Sequence, residues 1–421
     1  MVGTGVFTSL GFQLETIDSG FVILMLWTAG GVAAFCGAMS YAELGAALPR
    51  SGGEYNFLTR IYHPAAGFVS GWISAMVGFA APVALAAITF SAYLLSVVAP
   101  DASDWHRQAV ACLLVVVLAV LHGGRRGASG SLQTFFTLLK ILVIAGFCAS
   151  AAFLLETPQS IPLAPIAGDT SLILSGSFAI TLIYVNYAYT GWNAATYLSG
   201  EIDNPQKNLP RILGFGTLLV MVLYVSLNAS FLKAAPASEL VGQVEIGYIA
   251  AKSIFGERGA AFTGLVMAAL LISTVGAMTI AGPRVLQVIG EDFQIFKRLA
   301  VVNKDGIPTT AIYFQSALAL IFIITASFKS ILIFAGFTIS LNSFFTVLGV
   351  FILRWNEPDL ARPYKTFAYP LTPLIYLALT GWTLVYVLTH QTMEAMFGLG
   401  VIAVGFVFYL FSKHRESQHA K

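Results

Sequence analysis

Long runs without Asp, Glu, Lys or Arg constrain this chain more than any other feature. Nine windows carry none of the four: 68–100, 108–121, 170–200, 212–232, 259–283, 307–328, 330–353, 366–393 and 395–412. Two more, 20–48 and 127–155, carry one charge each, Glu43 and Lys140. An α-helix rises ~1.5 Å per residue, so ~20 apolar residues cross a hydrocarbon core of ~30 Å. The eleven windows therefore predict eleven full crossings, with 108–121 extended toward His122. Runs of this length exclude an outer-membrane barrel, whose strands alternate over about ten residues.

Residues 1–14 are also uncharged, but they reach only about 21 Å as a helix and cannot cross. No basic segment precedes them as a signal peptide would require. They read as the outer half of a helix, here span 1, and the full crossings become spans 2 to 12. The expectation is that an inner half-helix and a short lead, roughly 20 to 30 residues, precede Met1 in a working protein.

Composition agrees: 57% of the residues are hydrophobic and 10% charged, against roughly a quarter charged in soluble domains. A net charge of +2 offers no basic surface for nucleic acid, and three cysteines make no disulfide scaffold. No Cys or His cluster has metal-ligand spacing, so no metal or other cofactor is expected. With the loop after span 2 in the cytoplasm, Arg107, Lys233, Lys252, Arg258 and Lys329 fall outside and Lys140 lies mid-membrane. The other sixteen of the 22 Lys and Arg fall inside, a clear positive-inside bias. This predicts a multi-pass protein of the plasma membrane, a bacterial inner membrane, with a cytoplasmic C-terminus. No loop holds a second domain, so 1–421 reads as one membrane domain.

Two places break helical rules inside apolar runs: Gly3-Thr4-Gly5-Val6-Phe7, and Tyr187-Ala188-Tyr189-Thr190-Gly191-Trp192-Asn193 in the middle of span 6. Glycine costs ~1 kcal/mol against alanine in a helix interior. Unwound backbone is tolerated in a bilayer where it lines a cavity. Its free N–H groups can meet a carboxylate and its free C=O groups an ammonium. Either site alone is also what a small-residue contact between helices looks like. Their placement favours a site, because with five spans per half they are equivalent elements of an inverted repeat. Lys140 is the third feature. A mid-bilayer lysine costs ~2.5–3.5 kcal/mol, so it should face the interior and find a partner rather than snorkel.

Other features read as structural. Glu43, near the end of span 2, suits a helix-end ion pair. Gly123-Gly124-Arg125-Arg126-Gly127 lacks the Lys-Ser/Thr ending of a phosphate loop and reads as a basic anchor. Cys36, Cys112 and Cys148 lie in apolar windows as small hydrophobes.

The chain resembles the amino acid–polyamine–organocation superfamily over nearly its whole length. Gly3-Thr4-Gly5-Val6-Phe7 is similar to that family's G-[ST]-G-[IV]-F. Tyr41-Ala42-Glu43-Leu44-Gly45 and Pro49-Arg50-Ser51-Gly52-Gly53-Glu54-Tyr55 resemble its span 2 exit and first inner loop. Ala188-Tyr189-Thr190-Gly191-Trp192-Asn193 with Gly200-Glu201-Ile202-Asp203-Asn204-Pro205 resembles its span 6 break and exit. Arg354, Pro358-Asp359-Leu360 and Arg362-Pro363-Tyr364 are similar to the loop after span 10. The resemblance is nearest to the L-type amino-acid transporter-like branch. It implies an all-α LeuT-like five-plus-five inverted repeat, 1–155 and 170–354, with spans 11 and 12 at 366–412 and the first helix incomplete.

The resemblance also implies site roles. The amides around Thr4, Gly5 and Val6 would hold a substrate carboxylate. The carbonyls of Val2, Tyr187 and Ala188 would hold its amino group. Tyr187, where phenylalanine is common, would close as a gate. Thr190, beside Gly191, narrows the pocket and hints at small or medium substrates. Lys140 would link span 1 to Ser273 or Thr274 in span 8. The relatives' heavy-chain cysteine has no counterpart in Asp101–Gln108, so no disulfide-linked heavy chain is expected. The partners expected are an amino acid, as small-molecule substrate, and membrane lipid.

The reading is secondary transport of amino acids by alternating access, sodium-independent and by exchange. Proton symport is equally compatible with one lysine. Polyamine or organocation transport would want cavity carboxylates, and a non-transporting sensor would want a long signalling segment. The tail after Ser412 is nine residues. No motif supports an enzyme.

Overall fold

The computed structural model describes residues 1–50, 52–124, 130–197, 202–293 and 296–419. Ser51, Arg125, Arg126, Gly127, Gly200 and Glu201, quoted above, lie outside these. Every predicted crossing is helical, and no strand occurs among the described residues. Span 1 runs Gly5–Gln13, span 2 Gly20–Ala47, span 4 Asp104–Gly124 and span 5 Gly130–Leu154. Span 3 runs Pro64–Val98, with a π-helical turn at Ser74–Gly78. Span 6 is two pieces, Gly176–Tyr189 and Ala194–Tyr197. Spans 7 and 8 run Pro205–Ala234 and Ile246–Asp292, the latter bent at Gly256, whose φ is +68°. Spans 9 to 12 run Thr309–Thr325, Phe328–Asn356, Leu371–His390 and Thr392–His419. Among the described residues nine helices are long and apolar enough to cross a bilayer. Span 9 is shorter, and span 6 is interrupted. The chain is an all-α polytopic membrane protein.

Local chemistry sets several starts. The hydroxyls of Ser19, Ser175 and Ser327 accept the amides of Val22, Phe178 and Ser330 at 3.3, 3.3 and 3.1 Å, satisfying donors that a helix start leaves open. Pro64 and Pro205 sit in first turns, where a missing N–H costs nothing.

Four pairs of spans that lie five apart in order pack on one another. Span 1 packs on span 6, span 2 on span 7, span 3 on span 8 and span 4 on span 9. The fifth such pair, spans 5 and 10, is not among the closely packed ones of the described residues. Span 1 is buried along its whole length; among the nine long helices spans 3, 10 and 2 are the most enclosed, and spans 5 and 12 the least.

At one end of the bundle the expected helix-end pair forms. Glu43 accepts from Arg354 Nε at 2.8 Å and from its terminal nitrogen at 2.6 Å. It also accepts from the Thr366 amide at 2.7 Å and hydroxyl at 2.6 Å, with Arg362 Nε 3.5 Å away. Arg354 stacks on the Tyr369 ring at 3.6 Å. The carboxylate therefore pins span 2 to span 10 and to the segment leading into span 11. Removing one side of a buried pair leaves the other uncompensated, at a cost of about 3–5 kcal/mol. Glu43→Ala should lower thermal stability in detergent by an amount of this order. A loss below about 1 kcal/mol would class the cluster with surface ion pairs.

Candidate functional site

The two helix breaks lie against each other in the middle of the bundle. Span 1 becomes helical at Gly5, and its first bond runs from the Phe7 amide to the Thr4 carbonyl at 2.9 Å. The amides of Gly5 and Val6 precede that bond, so they are the open donors of a helix N-terminus. Thr4, Gly5 and Val6 are all buried, in a chain with no carboxylate between Met1 and Leu14. A cradle of open, buried amides suits an anionic group.

Span 6 breaks in the second half of the stretch Tyr187–Asn193. Tyr187, Ala188 and Tyr189 remain helical, and the chain turns at Thr190, ψ 164°, and Gly191, φ +97°. Only glycine adopts that φ freely. The Thr190 hydroxyl and amide both donate to the Tyr187 carbonyl, at 2.6 and 3.0 Å, closing the helix end. The helix thus outlasts the aromatic run, and the unwound residues are 190–193.

Close packing sets the spacing between breaks. A Cβ added at Gly5 would lie 2.5 Å from Ala188 Cα and 2.6 Å from its Cβ. One added at Gly191 would lie 3.1 Å from the Met1 nitrogen. The Met1 carbonyl accepts from Tyr224 in span 7 at 2.9 Å, holding the segment that contains Val2. The Tyr187 side chain is buried and interacts with the Thr4 side chain.

Lys140 faces inward from a span that is otherwise mostly exposed. Leu138 and Leu142 are 56% and 67% exposed, whereas Lys140 is 6%, so it does not snorkel. Its Nζ donates to Thr274 Oγ1 at 2.7 Å. Ser273 Oγ is buried without a hydrogen-bond partner. Gly3 comes close to the Thr274 methyl, 3.9 Å from a Cβ position. The lysine therefore reaches span 8 through Thr274, beside the start of span 1.

Residues that sequence reasoning missed complete the frame. Tyr93 of span 3 donates to the Phe7 carbonyl at 3.1 Å and accepts the Gly247 amide at 2.9 Å, tying spans 1, 3 and 8 together. Its signal was a lone phenol in a charge-free window, since a buried hydroxyl needs a partner. Next to the span 6 break a cavity is lined in part by Asn186, Thr190, Asn193, Ser343, Tyr376 and Thr380, all polar and uncharged.

Comparison with known proteins identifies similar chains. The family model described as Amino acid permease matches residues 1–408. The mouse (Mus musculus) large neutral amino acids transporter small subunit 2 is 28% identical, over 97% of this chain and 77% of its own. The human (Homo sapiens) b(0,+)-type amino acid transporter 1 is 26% identical, over 98% and 85%. The mouse Asc-type amino acid transporter 1 is 26% identical, over 97% and 78%.

Proposed function

The chain belongs to the amino acid permease family, and from that premise we propose that it carries amino acids by sodium-independent exchange, with alternating access around the paired breaks. The observation that carries this reading is the buried N-terminus of span 1 set against the turn at Thr190 and Gly191. The amides near Thr4, Gly5 and Val6 hold the α-carboxylate. The carbonyls of Val2 and Ala188 take the α-ammonium, joined by that of Tyr187 once the Thr190 hydroxyl turns away. Tyr187 closes over the bound molecule.

Sodium independence rests on Lys140. Its ammonium lies on Thr274, between spans 5 and 8. A fixed positive charge there repels a second cation by several kcal/mol at short range in low dielectric. The face carrying the Glu43 cluster and most Lys and Arg is assigned to the cytoplasm.

Recognition of both α-groups has a direct consequence. Amino-acid amides and N-acylated amino acids should compete with labelled uptake at least tenfold more weakly than the parent amino acids, since each loses a charge-assisted contact worth about 1.5–3 kcal/mol. Equal competition by the amides would remove the basis of the reading.

A further inference from the structure

Glu54 is buried, 1% exposed, and among the described residues no lysine or arginine forms an ion pair with it. Its Oε1 accepts from the Tyr41 hydroxyl at 3.0 Å and from Asn193 Nδ2 at 2.7 Å. Its Oε2 is buried beside the Tyr197 phenol. A buried carboxylate held only by neutral donors is expensive, and a structural contact between helices has cheaper solutions. Its position suggests what the expense achieves.

Asn193 is the last residue of the span 6 break, two beyond the Gly191 turn. The piece that follows, Ala194–Tyr197, is only four residues long. Asn193 bonds Glu54, Tyr197 shares a 3.0 Å hydrogen bond with Ser74 in the π turn of span 3, and Trp192 meets the Tyr41 ring edge-on at 4.5 Å. Glu54 itself opens a loop helix, Glu54–Ile61, that is fixed on two other sides. Tyr55 donates to Asp292 at the end of span 8, and Arg60 bonds Glu357 beyond span 10 at 2.8 Å. Burial and then the Asp292 carboxylate raise the Tyr55 phenol, so it keeps its proton and remains a donor. The loop helix is thus braced on spans 8 and 10 while holding the second piece of span 6.

We propose that Glu54 is a positioning residue of the transport cycle: its carboxylate latches the post-break piece of span 6 to the braced loop helix, and must release Asn193 for the site to open on that face. This deepens the transport reading and rests on it. Losing the latch shifts the population toward the state open on the Glu54 face. Apparent affinity scales with the fraction of competent state, so the Michaelis constants on the two faces must move in opposite directions.

The test is transport in proteoliposomes of defined orientation, with Glu54→Ala, Asn193→Ala and the double variant. The expected result is a KM that falls on the Glu54 face and rises on the opposite face, by about tenfold between them. The double variant should go no further than the stronger single one, because both remove the same bond. Unchanged KM with reduced maximal rate, or KM rising together on both faces, would overturn the latch. Amide exchange over residues 192–197 gives an independent reading in the purified protein. Exchange at least tenfold faster in Asn193→Ala supports the latch, and unchanged exchange overturns it. If the unmodified chain carries no amino acid, the transport reading fails, while the exchange result still decides the latch.

Discussion

Gly5→Ala should abolish uptake while leaving a folded, membrane-inserted protein. The added methyl would sit 2.5 Å from Ala188 Cα. The obstacle is backbone, which no rotamer change can move. Spans 1 and 6 must separate by roughly 1 Å, at a packing cost of about 1–3 kcal/mol. On the proposed reading, that separation displaces the open amides from the substrate's carboxylate, and misplacement of this size costs on the order of 100-fold in rate. Gly3→Ala is the matched control. Its new Cβ would meet nothing closer than 3.8 Å, so uptake should stay within about twofold, a change of only ~0.4 kcal/mol. Labelled amino-acid uptake with both variants, normalised to membrane-inserted protein, makes the comparison. Full activity of Gly5→Ala would show that the contact between the breaks does not govern binding.

Lys140→Ala should separate activity from stability. The ammonium donates to Thr274 from inside the bundle, and a hydrogen bond to a charged group is worth about 1.5–3 kcal/mol. If that link couples the start of span 1 to span 8, its loss should cut uptake ~10- to 100-fold. Stability should change little, because removing a buried charge also removes its desolvation cost. Uptake and thermal unfolding measured on one preparation distinguish the outcomes. Wild-type uptake would make Lys140 purely structural, and a large fall in stability with proportionate loss of uptake would do the same.

The fold was legible because some residues have one physical explanation. No soluble domain needs the 33 uncharged residues of 68–100, and a helix there became a crossing. Lys140 was legible for the converse reason: a charge in such surroundings needs a partner, and Thr274 was among those expected. The exact place of the span 6 break was not legible. Helix propensity favours unwinding somewhere in Tyr187–Asn193, but the Thr190 cap and the positive φ of Gly191 move it past the tyrosines. Contacts between distant segments were least legible. Glu54 meets Asn193, 139 positions away, and Glu43 meets Arg354, 311 away. Both carboxylates belong to visible motifs, yet nothing local names their partners. Glu43 could be read as a helix-end pair because it ends a span, whereas Glu54 sits in a loop where a carboxylate is ordinarily solvated.

Exchange at the paired breaks is tested most directly by counterflow in sodium-free proteoliposomes. Vesicles are loaded with a labelled neutral amino acid in choline buffer, and efflux is followed after adding the unlabelled amino acid, its amide, or buffer alone. The account predicts rapid efflux with the free amino acid, little with the amide, and little with buffer. Efflux that required sodium, or that the amide stimulated as well as the free amino acid, would contradict it.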